Sequence, residues 1–177
     1  MRWIEMKKEM TLKVKDMDPK FKYELSKFPG AEKVMLCFQC GSCTADCPIA
    51  RFNDFYRPRK LIHMVQLGLK KILLSDDSLW LCSTCSTCID HCPQDVGIVN
   101  IVRALRNLTV KEGKMLDVYR HLASSIKKTG YAYKIPDSRI KRRVKDELPL
   151  LPKVNLENLE KLFKVTGLSK MLEREES

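Results

Sequence analysis

The sequence predicts an all-α protein, and three observations carry that expectation. Apolar residues recur at helical spacing in the longer segments. Nothing between the two cysteine-rich stretches alternates as a strand would. Proline, aspartate and asparagine stand where helices would begin.

Taken in order, the first thirty residues are polar and rich in lysine. Asp18 followed by Pro19 is a good N-cap and first helical position, so a short helix is expected over 19–28, stopped by Gly30. Residues 31–36 lead into the first cysteine stretch. Pro58 opens a helix running to about residue 70, with Leu61, Ile62, Val65 and Leu69 on one face. Ser75, followed by Asp76 and Asp77, caps a further helical turn through Leu79 and Trp80 into the second stretch. Beyond it, Ile98, Ile101, Val102, Leu105 and Leu108 mark one amphipathic helix. Leu116, Tyr119, Ala123 and Ile126 mark another, ended near Gly130. Residues 131–154 carry three prolines and no clear period, which reads as an extended connection. Asn155 caps a last helix with Leu156, Leu159 and Phe163 on its face, and Thr166-Gly167 separates it from a final short turn. The expected organisation is a helical N-terminal extension (1–30), a core (31–112) and a C-terminal part (113–177) of helices and basic connection. The helices of that last part suit either packing on the chain's own core or docking on another protein of a complex.

At 177 residues and 44% hydrophobic content, the chain is long and apolar enough for a folded core. No apolar run approaches the roughly 20 residues that a membrane span needs. The opening "MRWIEMKKEM" scatters charges where a signal peptide would be apolar. The expected location is cytoplasmic, and the cytosol keeps thiols reduced, which argues against reading the cysteines as disulfides. The formal net charge is +11, with one dense basic run at residues 139–145. That run reads as a solvated strip or as a contact for an acidic partner. No nucleic-acid motif accompanies it, so nucleic acid is not an expected partner.

All eight cysteines fall in two copies of one pattern: "CFQCGSCTADCP" at 37–48 and "CSTCSTCIDHCP" at 82–93. C-x2-C-x2-C-x3-C-P places three thiolates where one loop can wrap three corners of a 4Fe–4S cube, while the fourth is too far along to reach it comfortably. In two-cluster ferredoxins the fourth cysteine of each run ligates the other cluster. One cluster then takes Cys37, Cys40, Cys43 and Cys92; the second takes Cys82, Cys85, Cys88 and Cys47. Cys43 and Cys47 are four residues apart, at most ~14 Å if extended and ~6 Å if helical, so the two clusters are forced close together. Two 2+ cores held by eight thiolates lower the net charge to about +7. The small residues Gly41, Ser42, Ser83, Thr84, Ser86 and Thr87 let backbone amides approach the sulfurs, and their hydroxyls are placed to add hydrogen bonds. Pro48 and Pro93 turn the chain away after each fourth ligand. A structural zinc site wants two C-x2-C pairs around one tetrahedral ion, which is a poorer match.

Other residues carry less. His91 reads as a surface group or a neighbour of the ligands rather than a ligand, and His63 and His121 have no assigned role. Trp80 is expected to pack beside a cluster and keep water off it. Arg103 and Arg106 lie off the apolar face and read as ordinary exposed charges, with partner carboxylates as the alternative. There is no dinucleotide fingerprint, no P-loop, no nucleophile–base constellation and no Cys-Cys-Gly repeat. The sequence therefore offers no catalytic residue.

The segments "LCFQCGSCTADCP" and "SDDSLWLCSTCSTCIDHCPQDVGIVNIVRALRN" resemble the C subunit of heterodisulfide reductase from methanogenic archaea. The likeness runs from about residue 23 to 107 and resumes weakly at "LEKLFKVTGLSKML". It implies an α-helical ferredoxin domain with two 4Fe–4S clusters and a relay role in methanogenesis. The implied partners are the A subunit, which holds flavin and iron–sulfur clusters, and the B subunit, whose Cys-Cys-Gly repeats serve cleavage of the coenzyme M–coenzyme B heterodisulfide. A hydrogenase or formate dehydrogenase would stand upstream. Two other readings stay open at this point. One is a relay for another Cys-Cys-Gly reductase, of glycerol-3-phosphate, lactate or sulfur metabolism. The other is a basic nucleic-acid-binding module with structural metal.

Overall fold

The computed structural model describes residues 12–173, so the reading of the N-terminal ten residues as a segment without a signal peptide lies outside them. Every regular element among the described residues is helical. Two compact units divide between Thr109 and Val110.

In the first unit the side chain of Asp18 accepts the N–H of Lys20 at 2.9 Å and starts the chain into α1 (Phe21–Leu25). This helix is shorter than the pattern suggested. Its two apolar residues, Phe21 and Leu25, are fully buried in the core. A 3-10 turn, Val34–Leu36, delivers Cys37 in extended conformation, and α2 (Ser42–Ala45) holds the third cysteine. Pro48 is the first residue of α3 (Pro48–Phe52), so the chain turns into a helix after the first motif.

Helix α4 (Pro58–Gln66) starts at the expected proline but stops short of Gly68, and α5 (Lys70–Leu74) follows separately. The reason for the break is a close approach. A Cβ on Gly68 would lie 2.2 Å from the backbone oxygen of Asp18, and its φ is +74°. Leu61, Ile62, Val65 and Leu69 are all buried, as their spacing required. The cap of the next turn moves by one residue. Asp76, not Ser75, accepts the N–H of Ser78 at 2.8 Å and starts the 3-10 turn Asp77–Leu81, while Ser75 closes α5. After α6 (Thr87–Asp90) comes α7 (Ile98–Lys111), whose Ile98, Ile101, Val102, Leu105 and Leu108 form the buried wall of the first unit. Each such side chain contributes about 1.5–3 kcal/mol by leaving water.

The second unit holds α8 (Asp117–Thr129), ended by Gly130, then α9 (Asp137–Lys145) and α10 (Leu156–Val165). The Asn155 side chain caps α10, accepting the N–H of Asn158 at 3.0 Å. The unit closes with α11 (Leu168–Glu173). Phe163 is buried, and Arg120 donates to the Leu172 carbonyl at 3.0 Å, tying α8 to α11. The connection at 131–154 is not wholly extended, because residues of the basic run form α9, begun by Pro136 with Asp137 in its first turn. Its five cations hide the period from an apolar count, and none of its residues is buried. The Tyr131 hydroxyl donates to the Pro152 carbonyl and closes the segment on itself.

Candidate metal centre

The two cysteine motifs fold as copies of each other, displaced by forty-five residues. Cys37 and Cys82 both follow a 3-10 turn in extended backbone. Gln39 and Thr84 share positive φ, 64° and 55°, and so do Gly41 and Ser86, 92° and 67°. Then α2 and α6 carry Cys43 and Cys88 inward. Left-handed backbone costs a residue with a Cβ roughly 1–2 kcal/mol. Three of the five non-glycine residues with positive φ among the described residues lie inside the motifs, which concentrates backbone strain at this site.

Burial repeats with the same offset for the first three cysteines of each motif, while Cys47 is buried and Cys92 half-buried. Cys43 and Cys88 are buried at 8% and 9% exposure, Cys37 and Cys82 are half-buried, and Cys40 and Cys85 are exposed. The exposed thiols each have a hydroxyl two residues on, Ser42 at 3.5 Å from Cys40 and Thr87 at 3.4 Å from Cys85. These hydroxyls are the main cause that holds both thiols below the usual cysteine range. Burial does the opposite inside: it pushes Cys37 and Cys43 up, and Cys88 up to about 12.

The thiols whose charge disfavours ionisation of Cys37, Cys43 and Cys88 fall into two sets that mix the motifs. Cys37 feels Cys92 and Cys40, and Cys43 feels Cys37, Cys40 and Cys92. Cys88 feels Cys82, Cys85 and Cys47, and across the sets it also feels Cys43. One cavity is lined by Cys47, Cys82, Cys85 and Cys88 together. Four thiolates around one small space repel one another, so a cationic core fits the donor set. Among the described residues no three His, Cys, Asp or Glu side chains converge as tightly as a single metal ion requires. A cubane spreads its ligands over four iron corners and suits the wider arrangement.

Side chains from the long helices hold the motif backbones. Gln66 of α4 donates to the Cys37 carbonyl at 2.8 Å, and its own oxygen accepts the amide of Gln39 at 3.1 Å. Gln39 also reaches the Cys37 sulfur at 3.4 Å. Arg106 of α7 does the equivalent for the second motif. It donates to the carbonyls of Leu79, 2.9 Å, and Cys82, 2.7 Å, and its guanidinium lies 5.5 Å over the Trp80 ring. The reading of Arg106 as an exposed charge is therefore corrected; Arg103, by contrast, is exposed, with a long 3.5 Å contact to Asn100. His91 pairs with Asp46 at 2.6 Å, which joins the residues that precede Cys92 and Cys47. His63 and His121 are exposed. The backbone N–H of Val96 donates to the Cys92 sulfur at 3.4 Å.

Tyr56 is the residue that sequence reasoning missed. It is 2% exposed and lines the cavity with Cys47, Cys82 and Cys88. Burial first, and then the neighbouring Cys82 thiol, push its ionisation far above the usual tyrosine range. The one signal in the sequence is an aromatic residue two positions before the helix-opening Pro58.

This arrangement defines a helical iron–sulfur protein with two cluster sites. Residues 33–96 match the 4Fe-4S dicluster domain family. The chain is 36% identical to the iron-sulfur C subunit of the CoB–CoM heterodisulfide reductase of Methanopyrus kandleri, over 93% of this chain and 92% of that one. It is 33% identical to the C subunit of the H(2):CoB-CoM heterodisulfide,ferredoxin reductase of Methanothermobacter thermautotrophicus, over 94% and 92%. With the C subunit numbered 2 of the Methanocaldococcus jannaschii CoB–CoM heterodisulfide reductase it shares 40% identity, over 67% of this chain and 62% of the other. The chain belongs to the family of heterodisulfide reductase C subunits, and its cofactors are two 4Fe–4S clusters. Among the described residues no helix is long and apolar enough to cross a membrane.

Proposed function

We propose that the chain is the electron-transfer subunit of a cytoplasmic heterodisulfide reductase complex. It relays electrons from a flavin-bearing partner to the Cys-Cys-Gly partner that reduces the coenzyme M–coenzyme B heterodisulfide. Its ligands are Cys37, Cys40, Cys43 and Cys92 for one cluster and Cys82, Cys85, Cys88 and Cys47 for the other. The observation that carries the assignment is the mixing of motifs in each set of interacting thiols, together with the cavity shared by Cys47 and the second triplet. Bound there, the clusters supply one-electron storage and outer-sphere transfer.

The chain's own residues arrange access to that chemistry. Exposed Cys40 and Cys85 give each site an edge that a partner's redox centre can approach. Buried Cys43 and Cys88 stand in the interior, where Cys43 is near enough to help raise Cys88. Residues 31–112 would form the cluster-bearing core, with the N-terminal extension 1–30 packed onto it through Phe21 and Leu25 and with 113–177 available for docking.

Anaerobically purified protein should contain about eight iron atoms, four per cubane, and show reducible 4Fe–4S signals. Zinc without such signals would overturn the reading. Anaerobic pull-down should recover the flavin and Cys-Cys-Gly partners. Recovery of a glycerol-3-phosphate or lactate-oxidising partner instead would place the relay in another reductase.

A further inference from the structure

Gln39 stands between the first two cysteines of its motif in left-handed backbone, φ 64°, a conformation that strains any residue with a Cβ. Two contacts hold its side chain. The amide nitrogen lies 3.4 Å from the Cys37 sulfur and 3.1 Å from the side-chain oxygen of Gln66. Gln66, the last residue of α4, fixes which end of the Gln39 amide faces the sulfur. Its own nitrogen donates to the carbonyls of Cys37, 2.8 Å, and Val34, 3.4 Å, and a carbonyl can only accept. The Gln66 oxygen is thereby left facing Gln39, which must answer with a donor. Of the two N–H groups on the Gln39 amide, one meets that oxygen and the other meets the sulfur. Turned over, Gln39 would set its oxygen against an acceptor on both sides, because a ligating cysteine is a thiolate.

A donor on a cysteine sulfur stabilises the more negative, reduced form of the cluster that the sulfur ligates. The hydroxyls beside Cys40 and Cys85 repeat in both motifs, at 3.5 and 3.4 Å, so they act on both clusters alike. The Gln39 amide does not repeat at its matched position. Thr84 there has the same left-handed backbone, but its hydroxyl donates to the Ser83 carbonyl at 2.7 Å. We propose that Gln39 is a potential-setting residue: its N–H bond to Cys37, oriented by Gln66, raises the reduction potential of the cluster that Cys37, Cys40 and Cys43 hold. Gln66 is the positioning residue of the pair. The inference rests on the two-cluster reading above and adds a side-chain control on one half of the relay. It needs only the first motif's triplet, so it stands apart from the crossed assignment of Cys47 and Cys92.

The test is an anaerobic redox titration of the full chain, monitored by EPR, with a Cys40→Ser variant to mark the signal of the first motif's cluster. At a fixed ambient potential, Gln39→Leu should lower the reduced-to-oxidised ratio of that cluster about threefold to tenfold, or about 30–60 mV for a one-electron couple, and leave the other in place. Gln66→Leu should shift the same cluster in the same direction. Added to Gln39→Leu, it should shift nothing further, because the donor it orients is already gone. Retained iron with no shift in Gln39→Leu, or an equal shift of both clusters, would overturn the proposal. A Gln66→Leu shift of the same size with and without the Gln39 amide would overturn the positioning role. Should Gln39→Leu load too little iron to titrate, Gln39→Glu keeps the size and puts a carboxylate in place of the donor. The potential must then fall below that of the unaltered protein, and an unchanged one would overturn the proposal. Absence of 4Fe–4S signals in the unaltered protein would overturn the cluster reading itself, and this inference with it.

Discussion

Replacing Arg106 by methionine keeps most of the side chain's apolar stem and removes its charge and donors. Two bonds disappear, to the Leu79 carbonyl at 2.9 Å and the Cys82 carbonyl at 2.7 Å, along with the stacking over Trp80. Hydrogen bonds from a charged donor contribute about 1.5–3 kcal/mol each, and a partly exposed cation–π contact about 0.5–1 kcal/mol. Water can reach part of this region, so the net loss should be about 2–4 kcal/mol. It falls on one turn, the 3-10 segment Asp77–Leu81 that delivers Cys82. Local opening of that turn should therefore become at least about 30-fold more frequent. The assay is cluster release to an iron chelator under anaerobic conditions, followed by visible absorbance and EPR. Arg106→Met should release the cluster of the second motif's triplet first and at least about 30-fold faster, by the same arithmetic. Arg103→Met is the control: it loses one long contact, expected within about 0.5 kcal/mol of no effect. Equal release rates for the two variants, or earlier loss of the first motif's cluster, would refute the role given to Arg106.

Cys92→Ala should remove or convert the cluster of Cys37, Cys40 and Cys43, although Cys92 lies in the later motif; EPR that shows the Cys82 cluster damaged instead would contradict the crossed assignment. Gly68→Ala places a methyl group against the Asp18 backbone at positive φ and strains the 2.8 Å bond from the Asp18 N–H to the Gly68 carbonyl. The left-handed backbone alone costs about 1–3 kcal/mol, so a clearly lowered melting temperature is expected, and an unchanged one would disprove this close approach. Glu32 is held below the usual glutamate range, mainly by its own backbone N–H and that of Gly30, 3.0 Å from its carboxylate. Its depressed folded pKa means that this contribution is present above the unfolded value of 4.5 and fades as pH falls through the folded one. An NMR titration of Glu32 should show the depression, and Glu32→Gln should abolish this part of the acid response.

The sequence by itself determined the ligands' chemistry and the helical class. Thiolate count and spacing are local, and a 3.6-residue period shows in any one segment. Leu61, Ile62, Val65 and Leu69 are buried because their spacing put them on one face, and Asn155 caps α10 because an Asn there has an N–H within reach. The misses have equally local causes. Cations filled the period of α9, and Gly68 ended α4 early because the Asp18 backbone comes within van der Waals contact of it.

Only the tertiary structure decided which side chains serve the motifs. Gln66 and Arg106 hold the two equivalent carbonyls, Cys37 and Cys82, from helices that lie twenty-nine and twenty-four positions away. Tyr56 lines one cavity with Cys82 across a similar interval, and Asp46 meets His91 at the full forty-five-residue offset of the repeat. No periodicity encodes such pairings, because a hydrogen bond depends on the distance between folded segments and not on their separation along the chain. An arginine that looks solvated in the sequence becomes a clamp once two helical segments bring carbonyl oxygens within 3 Å of it.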